Sequence, residues 1–124
     1  MKRITSAKAP AAIGPYSQAY ISGGMLYTSG QIPICPDSGE VVGTDVSAQA
    51  EQVFKNIAAV LEEAGTGFEK VVKTTCFLAD MGDFAAFNAV YEKYFTAKPA
   101  RFCVAVAGLP KAVLCEVELI AEVD

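Results

Sequence analysis

The residues best suited to chemistry lie near the end of the chain, where charged side chains interrupt two apolar runs. Arg101 and Cys103 alternate within "ARFCVAVA", and Glu116 and Glu118 alternate within "LCEVELIA". An arginine presents a fork of N–H donors that matches a carboxylate. A glutamate could hold a water molecule or move a proton. These residue types are therefore compatible with binding and hydrolysis of a small carboxylic acid, and equally with an internal ion pair.

Spacing alone favours the ion pair, because an arginine and a glutamate on adjoining strands more often form a structural or interface salt bridge. Cys103 is better explained by packing than by nucleophilic attack, since the chain has no histidine that could activate a thiol. Glu118 is most simply a solvated or interface charge. At this point the negative group that meets Arg101 could be Glu116 or a bound carboxylate.

Two glycine-containing loops could contribute backbone donors to such a site. The segment "AIGPYSQA" places Tyr16 after a Gly-Pro turn, and "TSGQIP" ends a strand with Ser29, Gly30 and Gln31. Exposed N–H groups beside such a glycine can bind an anion. Ordinary turns explain both loops at least as well, and neither has the spacing of a phosphate-binding or dinucleotide-binding motif.

The first half of the chain predicts a hairpin followed by a helix. Two β-rich runs within residues 19–31 are joined at Ser22-Gly23-Gly24. From Val46 to Ala64, apolar residues recur at the spacing of one helix face. Thr44 or Asp45 is expected to cap this helix, and the glycines that follow Ala64 are expected to end it.

The second half predicts a strand, a second helix and two closing strands. Residues 70–79 are rich in β-branched side chains, and Asp83 is expected to cap a helix with an aromatic face. That helix contains Asn88, which could orient a loop by hydrogen bonds or simply lie on the surface, because asparagine is a mediocre helix former. The closing strands are predicted at Arg101–Ala107 and Leu114–Glu122.

The element order is β-β-α-β-α-β-β, with a possible additional short strand at Ile4–Ser6. This order predicts a single α+β domain over residues 1–124. Its two helices are expected to lie on one face of a mixed sheet. Side chains alternate across a strand, and the all-apolar strand faces are expected to lie under the helices. This interpretation places Arg101 and Cys103 on the opposite face, together with Glu116 and Glu118. That face is too apolar for plain solvent and is expected to pack against other copies, as in a dimer or trimer.

Composition argues against several classes of function. The net charge of −4 does not favour a nucleic-acid surface, and no apolar run approaches the ~20 residues of a membrane span. The four cysteines form no CxxC pair and histidine is absent, which argues against zinc sites of the usual spacing and against histidine-dependent triads. The start of the chain lacks the apolar stretch of a signal peptide, and the cysteine usage fits the cytoplasm.

Five segments, taken in order, resemble the RidA/YjgF family of reactive-intermediate (enamine/imine) deaminases. They are "APAAIGPYSQA", "YTSGQIP", "KTTCFLADMGDFAAFNAVYEKYF", "PARFCVAVAGLP" and "CEVELIA". Each motif alone is weak, but the ordered set is specific and covers nearly the whole chain. The resemblance implies a chorismate-mutase-like α+β fold and a homotrimer with three clefts between subunits. It also implies hydrolysis of 2-imino acids, such as 2-iminopropanoate derived from 2-aminoacrylate and 2-iminobutanoate, to 2-oxo acids and ammonia without a metal or organic cofactor.

The resemblance also assigns roles by position. Arg101 would bind the substrate carboxylate, Glu116 would position or activate the attacking water, and Cys103 would line the pocket near the imine nitrogen. The remaining residues would form one wall or support the site: Tyr16, Ser29, Gly30, Gln31 and Asn88. An imine carbon is already electrophilic, so orientation and a held water could suffice without a covalent nucleophile.

Two departures from the family pattern and two other functions accompany this interpretation. The segment "YFTAKPAR" is shorter than in many members, which could alter the cleft rim. Phe102 replaces a common small polar residue but should point away from Arg101 and affect only packing.

A non-catalytic trimer that binds small 2-oxo acids would need Arg101 but not Glu116. An RNA-acting translation inhibitor is the third alternative, and the acidic charge argues against it.

Overall fold

A mixed sheet with two helices on one face forms the fold of the computed structural model, which describes residues 1–124. The helices are α1 (Val46–Glu63) and α2 (Phe84–Tyr94). The strands are β1 (Lys2–Ile4), β2 (Ala19–Ser22), β3 (Met25–Thr28), β4 (Val71–Leu78), β5 (Ala100–Ala105) and β6 (Cys115–Glu122). The predicted α+β class, the hairpin and both helices are confirmed, whereas the first strand lies slightly earlier than Ile4–Ser6. No helix is both long enough and apolar enough to cross a bilayer.

The strand order is β1-β2-β3-β6-β4-β5, and every neighbouring pair is antiparallel except β4 and β5. Parallel neighbours need a crossover connection, and α2 provides it between these two strands. This connection leaves β5 at the edge of the sheet, with β4 between it and β6. The two closing strands, β5 and β6, therefore do not pair with each other.

One of the two predicted helix caps forms as expected. The Asp45 side chain accepts a hydrogen bond from the backbone N–H of Ala48 at 2.8 Å, and this capping bond satisfies a donor at the start of α1. Asp83 occupies the cap position of α2, but its side chain makes no capping bond. Asp80 instead accepts from the N–H of Gly82 at 2.8 Å, because a short 3₁₀ turn at Met81–Asp83 precedes α2.

The core lies between the helices and one face of the sheet. Phe54 of α1 is fully buried. Its ring centroid lies 5.1 to 6.0 Å from those of four aromatic residues in α2 and directly after it: Phe87, Tyr91, Tyr94 and Phe95. The sheet contributes Val117 and Leu119 of β6 to the same cluster. The prediction that the all-apolar face of β6 lies under the helices is therefore confirmed, and α2 is packed firmly enough to position side chains at the sheet edge.

Candidate functional site

Two separate groups of residues hold the side chains that the sequence singled out. The first, which we call the arginine cluster, consists of Arg101, Cys103, Phe84, Asn88 and Tyr91. The second, the glutamate cleft, has a volume of about 500 Å³. Its lining consists of Ile13, Tyr16, Ser29, Gly30, Ile32, Pro110, Lys111 and Glu116. The sheet separates the two groups.

Strand register shows that the predicted face of Arg101 was wrong. Arg101 lies opposite Thr74, and Thr74 lies opposite Leu119; Thr74 and Leu119 are both buried under the helices. Residues opposed in register point to the same side of a sheet, so Arg101 and Cys103 lie on the helix-covered face. Glu116 lies opposite Phe77, and both side chains point to the open face. Phe102 lies opposite Thr75 and points to the same open face.

The physical reason is the edge position of β5, which α2 covers only in part. There a long side chain can pack its stem along apolar groups and keep its charged end at the rim. The expectation that all-apolar strand faces lie under the helices placed Phe102 and Val104 there. Both residues instead lie on the open face, where Phe102 is 55 % exposed. The expectation that Phe102 points away from Arg101 is confirmed.

Helix α2 positions the guanidinium of Arg101. Its central carbon lies 4.6 Å from the ring centroid of Tyr91 and 5.4 Å from that of Phe84, which is the range of cation–π attraction. Its Nη1 donates a hydrogen bond to Oδ1 of Asn88 at 2.6 Å. The hydroxyl groups of Tyr91 and Thr74 are hydrogen-bonded at 2.8 Å, which fixes the aromatic ring beneath the charge.

No carboxylate of the chain pairs with Arg101. The three ion pairs of the structure join Lys8 to Glu62, Lys70 to Asp124 and Lys93 to Glu51. The internal Arg101–Glu116 salt bridge that spacing favoured is therefore not formed, because the two side chains lie on opposite faces of the sheet. Arg101 is exposed, and several of its N–H donors remain available to an external acceptor.

Cys103, which also belongs to the arginine cluster, is only partly exposed. Burial raises the pKa of its thiol, although the nearby charge of Arg101 acts in the opposite direction. A thiol with a raised pKa stays protonated at neutral pH and is a poor nucleophile. The structure thus agrees with the packing interpretation of Cys103.

Glu116 projects from β6 into the glutamate cleft, where its carboxylate forms no ion pair within the chain. Burial, and secondarily the charge of Glu118, raises the pKa of this carboxyl above the ordinary glutamate value. A Cβ atom added at Gly30 would lie 2.1 Å from Oε2 of Glu116. Only glycine therefore leaves room for the carboxylate in this position.

Three of the four loop residues predicted to form a wall line this cleft together with Glu116: Tyr16, Ser29 and Gly30. The Ser29 hydroxyl donates to the carbonyl of Ser17 at 2.6 Å, which ties the end of β3 to the loop that carries Tyr16. Tyr16 is 52 % exposed at the mouth of the cleft. Gln31 exchanges two backbone hydrogen bonds with Val117, so it extends the sheet and lines a pocket beside the cleft.

Sequence reasoning missed the aromatic partners of Arg101 and the lysine in the cleft. Phe84, Asn88 and Tyr91 follow one helix face at i, i+4 and i+7, and this spacing is the signal that could have identified the cradle. Lys111 carried no such signal. Its backbone has a φ of 55°, a left-handed conformation that is uncommon outside glycine, and it lines the cleft that contains Glu116.

The fold and these two groups define a small α+β protein with a cation and a half-buried carboxylate that have no charged partners of their own. The chain belongs to the Endoribonuclease L-PSP family, whose model matches residues 6–123. One relative is a Lactococcus lactis protein with the name "Putative regulator AldR", which is 57 % identical over 124 residues, or 99 % of this chain and 98 % of that protein. Another is the 2-iminobutanoate/2-iminopropanoate deaminase of Escherichia coli K12, which is 52 % identical over 124 residues, or 97 % of this chain and 96 % of that protein.

The crystal structure of the YjgF gene product of Escherichia coli is similar to this chain throughout. It has a TM-score of 0.93 and 50 % sequence identity, and the alignment covers 98 % of both chains. The resemblance to the RidA/YjgF family is therefore confirmed over nearly the full length. The six-stranded mixed sheet with two helices belongs to the same fold.

Proposed function

We propose that the protein is a deaminase that hydrolyses reactive 2-imino and enamine acids, such as 2-iminopropanoate and 2-iminobutanoate, to 2-oxo acids and ammonia. The observation that carries this proposal is the half-buried Glu116 carboxylate, which stands in a cleft without an ionic partner. A second unpaired charge, Arg101, suits the carboxylate that every 2-imino acid carries. The deaminase relative at 52 % identity supports the same substrate class.

We further propose that two copies of the chain build each site. Arg101 and Glu116 lie on opposite faces of the sheet in one copy, so a site that uses both takes Arg101 from one copy and Glu116 from its neighbour. Such a contact joins two different surfaces. Contacts of this kind form a ring where the rotation between copies closes, and the ring proposed here is a homotrimer with three intersubunit clefts. The partly exposed Tyr27 and Phe102 on the open face, together with the unpaired edge of β5, are surfaces that an assembly would cover.

In this site the arginine cluster binds and orients the substrate. Asn88 and the rings of Phe84 and Tyr91 hold the guanidinium from the α2 side, so the N–H donors on the other side face the carboxylate. Cys103 lies next to the imine nitrogen. The wall opposite comes from the neighbouring copy and consists of Tyr16, Ser29, Gly30 and Gln31.

Glu116 moves the protons of the hydrolysis. As the water oxygen bonds to the carbon of the protonated imine, Glu116 takes a proton from the water and the π electrons move to nitrogen, giving a neutral carbinolamine. Glu116 then returns that proton to the nitrogen. The C–N bond breaks, the carbonyl forms, and ammonia leaves with the hydroxyl proton as ammonium. A raised pKa suits this role, because an acid–base group works best when its pKa approaches the ambient pH.

The four cysteines of the chain are all free thiols, which a reducing compartment preserves. We therefore place the reaction in the cytoplasm, where it would remove reactive by-products of amino acid metabolism. The substrates are small molecules, and the assignment involves neither a membrane nor a nucleic acid.

The test is the release of ammonia and 2-oxo acid when an amino acid oxidase generates the imine in the presence or absence of the protein. Acceleration above the uncatalysed hydrolysis is expected. Binding of 2-oxobutanoate without acceleration would contradict the proposal and assign a binding module. Salt-sensitive binding or cleavage of RNA without acceleration would assign the activity that the family description names.

Gly30→Ala is expected to lower kcat by about 10- to 100-fold, because a misplacement of about 1 Å at a reacting group has effects of this size. The added methyl group displaces the flexible end of Glu116 rather than backbone, so the melting temperature should change little. Steady-state kinetics and thermal unfolding measure the two effects. Gly108→Ala is the matched control, because a Cβ atom there has no neighbour within 4 Å. Equal activity in both variants would contradict the placement of Glu116.

A further inference from the structure

A second cavity, which we call the inner pocket, adjoins the glutamate cleft. Its volume is about 240 Å³, and it shares with the cleft the lining residues Ile13, Tyr16, Gly30, Ile32 and Lys111. Beyond the shared rim, its walls come from Pro10, Gln31, Ile34, Cys35 and Pro36, among others. A molecule that reaches Glu116 can therefore extend directly into the inner pocket.

The walls of the inner pocket combine apolar side chains with one uncommitted amide. Gln31 is only 6 % exposed, and its backbone groups bond to Val117, but its side-chain amide has no hydrogen-bond partner among the side-chain contacts of the chain. Gln18, which lines the same pocket, differs because its amide is used fully by Ser6 and Pro10. No buried side-chain nitrogen or oxygen of the chain lacks a partner, so the unbonded amide of Gln31 reaches solvent and can form a hydrogen bond with an occupant of the pocket.

We propose that the inner pocket receives the side chain of the 2-imino acid and makes the protein prefer extended, mainly apolar side chains of up to phenyl size. This inference rests on the proposed function. A cavity of about 150 Å³ holds a benzene molecule, so a pocket of about 240 Å³ has room for such a group. The methyl group of 2-iminopropanoate would leave most of the pocket unfilled.

The first test compares kcat/KM for the imines made from alanine, 2-aminobutanoate, norvaline and norleucine. Each added methylene should raise kcat/KM about fourfold, which corresponds to about 0.8 kcal/mol per buried CH₂. A flat or falling series with good turnover of the alanine-derived imine would overturn the inference and leave the proposed function intact. Absence of turnover with every member would overturn both.

The second test fills the pocket chemically through Cys35. Hydrogen bonds from the Ser38 side chain and from the backbone of Ser38 and Asp37 lower the pKa of this thiol. Burial raises the pKa of Cys76 and Cys115 to about 12 and also raises that of Cys103. Iodoacetamide should therefore alkylate Cys35 first, since the thiolate is the reactive form, and mass spectrometry of proteolytic fragments identifies the modified residue.

Alkylation of Cys35 should abolish the advantage of the norleucine-derived imine and leave the rate with the alanine-derived imine within about twofold. The Cys35→Ser variant, treated in the same way, should keep the full preference for the longer chain. Stoichiometric alkylation of Cys35 that leaves the preference unchanged, or that reduces both rates equally, would overturn the inference.

Discussion

Arg101→Ala is expected to lower kcat/KM for imine hydrolysis by about 10²- to 10⁴-fold. A hydrogen bond to a charged group contributes about 1.5–3 kcal/mol, and a guanidinium can donate two of them to one carboxylate. The fold should tolerate the change, because Arg101 is exposed and its own contacts are one hydrogen bond to Asn88 and two cation–π contacts. Steady-state kinetics and thermal unfolding of the same preparation separate the two effects.

Two further variants sharpen this prediction. Arg101→Lys keeps the positive charge but not the planar fork, so its kcat/KM should fall between those of the wild type and Arg101→Ala. Lys55→Ala removes an exposed charge from α1 and should leave kcat/KM unchanged. Wild-type activity in Arg101→Ala would show that the substrate carboxylate is bound elsewhere.

Glu116→Gln is expected to lower kcat by about 10²- to 10⁴-fold with little change in KM, because positioned acid–base groups contribute rate factors of this size. Glutamine has nearly the same shape as glutamate and should fit over Gly30. A loss that appears in KM rather than kcat would assign Glu116 to substrate binding. Unchanged kcat would remove it from the mechanism.

The same variant should alter how stability depends on pH. Because burial and Glu118 raise the pKa of Glu116 in the folded protein, the folded state keeps its proton to higher pH than the unfolded state does. The stability that Glu116 contributes is therefore complete below its unfolded pKa and is lost as pH rises through the folded pKa. The Glu116→Gln side chain does not titrate, so this variant does not lose stability as the pH rises. Its free energy of unfolding, measured with urea at neutral pH, should therefore be at least as large as that of the wild type. A variant that is clearly less stable at neutral pH would contradict the raised pKa.

The helices and strands could be predicted from the sequence because their signals are local. The apolar spacing from Val46 onward and the β-branched residues around Thr74 each reflect one element packing on the core. Asp45 was recognisable as a cap for the same reason. Asp83 was wrongly predicted to form a capping hydrogen bond for α2. A 3₁₀ turn precedes this helix, so the backbone N–H group that needs a cap is that of Gly82, and Asp80 accepts its hydrogen bond.

The face occupied by Arg101 could not be predicted, because alternation shows which residues share a face but not which face is covered. The rule that apolar faces meet the helices held for β6 and was wrong for β5. Phe102 and Val104 lie on the open face, whereas Arg101 is held by aromatic side chains from another element. The closeness of Gly30 and Glu116 also depends on long-range register between the end of β3 and β6, which no local pattern reveals.

The most direct test of a site shared between copies is complementation between Arg101→Ala and Glu116→Gln chains, each nearly inactive alone. Equimolar chains are unfolded together and reassembled, and mass spectrometry of the intact oligomers verifies that both chains are present. In a ring of heterologous contacts, about a quarter of the clefts then combine an intact Arg101 from one chain with an intact Glu116 from its neighbour. We predict recovery of about a quarter of the wild-type rate of ammonia release. Mixed oligomers no more active than the two separate variants would contradict the account.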